Sequence, residues 1–181
     1  MDSLFVPDQT ANKLILLYML DKMEIPLTEN SILEICTSKN NWLTYMECKD
    51  ILWQLVKTKF VWFKEDENAP AEGKYSITSE GRDCLGHFYG KIPPSIRETI
   101  SDFCKKNRIS FKRAQEYVPN FHKNSDGTHT VVLRINNPQD IQPLLKIQIK
   151  TDSRRGAMNA CKRWEEKAPS IYEYILENLL D

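Results

Sequence analysis

The stretch Leu14-Ile-Leu-Leu-Tyr-Met-Leu20 limits what this chain can fold into more than any other segment. It lies inside a helical pattern running from Gln9 to about Met23, with Asp8 as its expected N-cap. A helix that is apolar on every side cannot lie on a surface. It belongs in the middle of a core, with other elements packed around it. Seven residues fall far short of the roughly 20 that cross a bilayer, so a membrane span is not expected. The first residues, Met-Asp-Ser-Leu-Phe-Val-Pro, have neither a basic start nor a small-residue cleavage site, so no signal peptide is read.

The surrounding elements follow in order. Ile25-Pro26-Leu27 breaks the central helix, and Thr28 caps a second one, about Glu29 to Thr37, with Ile32, Ile35 and Cys36 on one face. Asn40 and Asn41 end it, since Asn tolerates left-handed backbone. Trp42-Leu43 leads into a third helix, about Thr44 to Thr58. There Cys48, Ile51, Leu52 and Leu55 recur at i, i+3, i+4 and i+7, a buried stripe.

Phe60-Val-Trp-Phe63 is aromatic and β-branched and predicts a strand. A polar loop, Glu65 to Gly73, leads to a returning strand with Tyr75 and Ile77 on one face. Thr78 then caps a further helix. Gly81 in its first turn costs about 1 kcal/mol against Ala, which predicts a close approach that excludes a Cβ. Three helices and a two-stranded hairpin are the order of a winged helix-turn-helix, assigned to residues 1–92 with the loop at 65–73 as the wing.

Pro93-Pro94 opens a second module, residues 93–181. Ile96, Ile100, Phe103 and Cys104 mark a helix. Three strands follow, about Glu116–Lys123, Thr128–Asn136 and Leu144–Lys150, the first two joined by the turn signal Asn124-Ser-Asp-Gly127. Two closing helices are expected. One starts at Ser153 and buries Ala157, Ala160, Cys161 and Trp164. The other starts near Pro169 and buries Ile171, Tyr174, Ile175 and Leu179. The fold class is therefore α+β: a winged helix-turn-helix, then a small antiparallel sheet with packed helices serving dimerisation or an effector.

Several of these residues carry a family resemblance. The central helix, Ile25-Pro-Leu-Thr28, Leu52-x-x-Leu-Val56, Phe60-Val61, Tyr75-x-Ile-Thr-x-x-Gly81, Ile92-Pro93 and the Asp126-Gly127 hairpin resemble a bacterial winged-helix family. It is catalogued as a domain of unknown function, family 4364, and is loosely similar to the PadR and MarR regulators. The resemblance runs the length of the chain and implies the winged-helix fold and a role in transcription. One departure is Lys59, where such families often have Gly before the strand.

With its stripe inward, the third helix presents Tyr45, Met46, Lys49, Asp50, Trp53 and Lys57 outward. The expected DNA-binding residues are Thr44, Tyr45, Lys49, Trp53, Lys57 and Lys59. Thr44 and Tyr45 can meet phosphate or a thymine methyl, and Lys49 phosphate or guanine. Trp53 is expected to pack under a neighbouring element. Against DNA stand Glu47 and Asp50 on the helix and Glu65, Asp66, Glu67 and Glu72 in the wing. Residues 1–92 hold 10 Lys/Arg against 14 Asp/Glu, a balance of −4, offset by +4 in the remainder. The alternative is accordingly a winged-helix protein-protein interaction module that does not bind DNA. The densest basic run, Lys105 to Arg113, could grip phosphate or an acidic partner, but reads rather as the cationic last turn of a helix.

The five cysteines, at 36, 48, 84, 104 and 161, form no C-x-x-C pair and read as reduced, packed thiols in a cytoplasmic protein. His122 and His129 could face each other across the hairpin as a metal or pH-sensing pair, but with no further ligand at metal spacing they read as ordinary half-exposed strand histidines. No phosphate-cradling loop or nucleophile pairing stands out. The expectation is a DNA-binding regulator that is not an enzyme, has no cofactor or metal, and acts as a homodimer on double-stranded DNA. Any small-molecule effector is left unspecified.

Overall fold

The computed structural model describes residues 9–65, 73–137 and 142–180. The expected cap Asp8 and the wing carboxylates Asp66, Glu67 and Glu72 lie outside the described residues. The protein is α+β with two small antiparallel sheets. It divides into two compact units, one reaching Arg108 and one starting at Ile109.

In the first unit, α1 (Gln9–Met23) is the central helix, and every residue from Leu14 to Leu20 is buried. Around it come β1 (Leu27–Thr28), α2 (Glu29–Leu33), α3 (Tyr45–Lys57), β2 (Val61–Lys64), β3 (Lys74–Ile77), α4 (Ser79–Phe88) and the first part of α5 (Pro94–Glu116). The segment Ile25-Pro26-Leu27 does more than end α1. Leu27 and Thr28 pair with Tyr75 and Lys74, giving a three-stranded sheet in the order β1-β3-β2 where a two-stranded hairpin was expected.

Thr28 caps α2 as expected, its hydroxyl accepting from the Ser31 N–H at 3.2 Å. The helix then widens into a π turn, Glu34–Lys39. Asn41 takes the left-handed conformation (φ 53°), and the Trp42 and Leu43 N–H groups both donate to the Cys36 carbonyl, at 2.9 and 3.1 Å. Thr78 caps α4, accepting from the Gly81 N–H at 3.0 Å. The same hydroxyl donates to the Lys59 carbonyl at 2.8 Å. A Cβ on Gly81 would collide with the Phe60 carbonyl oxygen. That is the close approach the glycine implied.

In the second unit, β4 (Tyr117–Lys123), β5 (His129–Ile135) and β6 (Leu145–Thr151) form an antiparallel sheet in sequence order, and Gly127 turns the hairpin with φ 85°. Residues 129, 131, 133 and 135 of β5 are buried on one face. One helix covers that face: α6 (Arg154–Leu179), through Ala157, Trp164 and Ala168, with Ala160, Cys161, Ile171 and Tyr172 alongside. The Trp164 indole N–H donates to the Arg134 carbonyl at 3.0 Å.

The two closing helices expected from Pro169 are thus a single helix. Proline leaves the carbonyl four residues back without its helical donor, which normally ends a helix. Here positions 157, 160, 161, 164, 168, 171 and 172 follow one stripe across it, and packing on the sheet holds both halves in register. That register turns Tyr174 and Leu179, both expected in the core, out to solvent, at 66% and 75% exposure. Among the described residues no helix is long and apolar enough to cross a membrane.

Candidate nucleic-acid interface

The third helix is held at both ends by its own sequence. At its start Thr44 and Glu47 form a capping box. The Glu47 N–H donates to the Thr44 hydroxyl at 3.4 Å, and the Thr44 N–H donates to the Glu47 carboxylate at 3.0 Å. The Thr44 hydroxyl also donates to that carboxylate, at 2.6 Å. These bonds hold the Glu47 carboxyl below the usual glutamate range, the Thr44 hydroxyl first and its backbone N–H second.

At its end the Phe60 N–H reaches the Leu55 carbonyl and the Lys59 N–H the Val56 carbonyl, both at 3.0 Å. That crossed pair is a Schellman motif with Lys59 left-handed at φ 63°. The sharp turn therefore forms without the glycine that similar families often carry there.

Cys48, Ile51, Leu52 and Leu55 are buried, as their spacing requires. The opposite side carries a row at i+4 spacing: Tyr45, Lys49, Trp53 and Lys57, all exposed. Lys49 Nζ lies 5.7 Å from the Tyr45 ring centre, and Lys57 Nζ lies 4.8 Å from that of Trp53. Each cation sits over a ring face, an attractive arrangement. Trp53 does not pack under a neighbour but stands 63% exposed. The buried face of the helix is the stripe Cys48, Ile51, Leu52 and Leu55, and Trp53 lies outside it.

Lys49 is not free. Its ammonium lies 2.9 Å from Glu29, which holds it above the usual lysine range. The second Glu29 oxygen accepts from the Tyr75 hydroxyl at 3.4 Å. Glu29 thus joins the start of α2 to both α3 and β3, and nothing in local periodicity reveals such a link. Trp62 is also 63% exposed, on β2. Alternation around the inward Val61 would have found it.

Of the expected site residues, Tyr45, Lys49, Trp53 and Lys57 stand together, Thr44 is committed to the cap, and Lys59 is exposed on the turn beyond the helix.

The other candidate groups are dispersed. Within the Lys105–Arg113 run, Arg108 donates to Glu24 at 2.6 Å and to the Lys22 carbonyl at 2.8 Å, and Lys112 pairs with Glu116 at 3.7 Å. His122 and His129 stand as separate strand histidines, as expected, and form no pair. His122 is in register with Thr130 and His129 with Lys123, so the two rings project from opposite faces of the sheet. All five cysteines are free thiols, with Cys36, Cys48 and Cys104 buried.

No curated protein and no solved structure matches this chain. A family model does, over residues 12–179, and on that match the chain belongs to the family described as domain of unknown function DUF4364.

Proposed function

We propose that this protein is a transcription regulator of the winged-helix kind, binding double-stranded DNA as a homodimer. In this reading α2, its π turn and α3 make the helix-turn-helix, β2 and β3 are the wing strands, and α3 is the reader. The observation that carries it is the outward row of Tyr45, Lys49, Trp53 and Lys57 on a helix whose two ends are fixed. Ammonium groups answer phosphates, and ring edges answer base edges and thymine methyls. The reading assigns no catalysis and no cofactor.

The ion pair between Lys49 and Glu29, with Glu47 and Asp50 on the same helix, favours a second reading, a protein-binding winged helix. Titration of mixed-sequence duplex DNA from about 50 to about 200 mM salt separates the two. Several phosphate contacts weaken binding by orders of magnitude over that range. Absence of binding at the low-salt end sinks the DNA reading. Lys49→Glu combined with Lys57→Glu tests the reader, since unchanged DNA affinity in that double variant removes α3 from the role.

A further inference from the structure

The sheet of the second unit has two edges, and they are guarded differently. On β4, Pro119 stands mid-strand in register with Leu133, so that edge lacks a donor at its centre. On the other side, β6 pairs only with β5 among the described residues, and Leu145-Lys-Ile-Gln-Ile-Lys-Thr151 contains no proline, glycine or bulge. Its only edge guards are Lys146 and Lys150, and a regular edge of seven residues is a template for another strand.

The apolar side of β6 is also incompletely covered. Helix α6 packs mainly over β4 and β5. Leu145 and Ile147 are half-buried, and Ile149 is 46% exposed. The polar side carries Lys146 and Lys150, and Lys150 is already paired with Asp126 at 2.7 Å.

We propose that β6 is where two copies of this chain meet, pairing antiparallel about a two-fold axis at Ile147 to make one six-stranded sheet. The pattern of β6 fits a second copy of the same strand in this register. Centred on Ile147, Leu145 faces the partner copy's Ile149 and Ile147 faces itself, so three apolar pairs form on the side that α6 leaves open. Lys146 falls opposite Gln148, and Lys150 opposite Leu144. Moving the axis by one residue either way sets Lys146 against Lys146 or against Lys150. Like charges directly opposite destabilise a strand pair. Of these three registers, only the one centred on Ile147 avoids a charge clash, and a strand that can pair with its own copy in this way suits an isologous contact. The pairing rests on the homodimer of the proposed function but not on whether α3 reads DNA.

Sedimentation equilibrium of the full chain tests this, together with a cysteine scan. Wild type is expected as a dimer. Ile149→Lys, at a position exposed enough for the monomer to tolerate, is expected to weaken dimerisation by at least about tenfold, and Ile149→Val to leave it intact. Under mild oxidation, against wild type as the blank, Ile147→Cys is expected to give a disulfide-linked dimer rapidly. Lys146→Cys and Gln148→Cys, offset across the axis, are expected to cross-link slowly. A monomeric wild type, a dimer indifferent to Ile149→Lys, or faster cross-linking at 146 or 148 overturns the proposal. If Ile149→Lys fails to give a cooperative thermal transition, the cysteine scan alone decides.

Discussion

Glu29 holds Lys49 at 2.9 Å, so the first turn of α2 neutralises the central cation on the exposed face of α3. Both side chains are substantially exposed, and the pair adds little to stability. Its larger effect is on charge, because the ammonium must leave Glu29 before it can meet a phosphate.

Glu29→Gln is therefore expected to raise affinity for duplex DNA by about threefold to tenfold at low salt, with a steeper salt dependence. Fluorescence anisotropy against salt measures both. The raised lysine value gives the sign of the pH effect. The pair's stabilisation is complete below the ordinary lysine range and fades only as pH rises through the higher folded value, so neutral-pH measurements see it whole.

Thr44→Ala removes the acceptor of the capping box and is expected to cost about 1 kcal/mol in urea denaturation. Glu47 is depressed by the same threonine, so its contribution is present above the usual glutamate range and is lost as pH falls through the folded value. The gap between wild type and variant should shrink from about pH 7 to about pH 3.

Gly81→Ala is expected to destabilise by about 2 kcal/mol despite the better helix propensity of alanine. The new methyl meets the Phe60 carbonyl, a backbone atom tied to the α3–β2 turn. A lowered urea midpoint with unchanged slope is the expected readout.

Lys59→Gly should do the reverse. Lys59 holds the left-handed position of the Schellman motif, where glycine avoids a steric cost of about 1 kcal/mol. The midpoint should rise. If Lys59 also contacts DNA phosphate, affinity should fall in the same variant, so stability and binding move in opposite directions.

Pro169→Ala restores a helical N–H inside α6 and is expected to stabilise the protein by about 1–3 kcal/mol. A higher thermal midpoint, without change in helical circular dichroism beyond a turn, checks it.

What the sequence made legible was what short-range chemistry determines. The all-round apolar Leu14–Leu20 stretch located the central helix, Thr28 and Thr78 marked their helix starts, and Gly81 implied a close neighbour. The outward set on α3 followed from the position of its buried stripe. Pro169 misled because a local breaker was outweighed by continuous packing on a sheet formed by distant residues. Strand β1 was hidden because two residues have no periodicity of their own and become a strand only beside β3. The link from Glu29 to Lys49 and Tyr75 spans three elements, and only the assembled fold brings those groups together.

The row on α3 has a geometric consequence. At about 100° per residue, a step of four residues advances about 40° beyond a full turn. From Tyr45 to Lys57 the row therefore winds through about 120° while rising about 18 Å. Its members do not point one way but trace a strip around the cylinder. A flat surface can meet adjacent members while the far ones turn aside. A channel that embraces the helix can meet them all, so the curvature of whatever α3 enters decides how many of its four side chains engage.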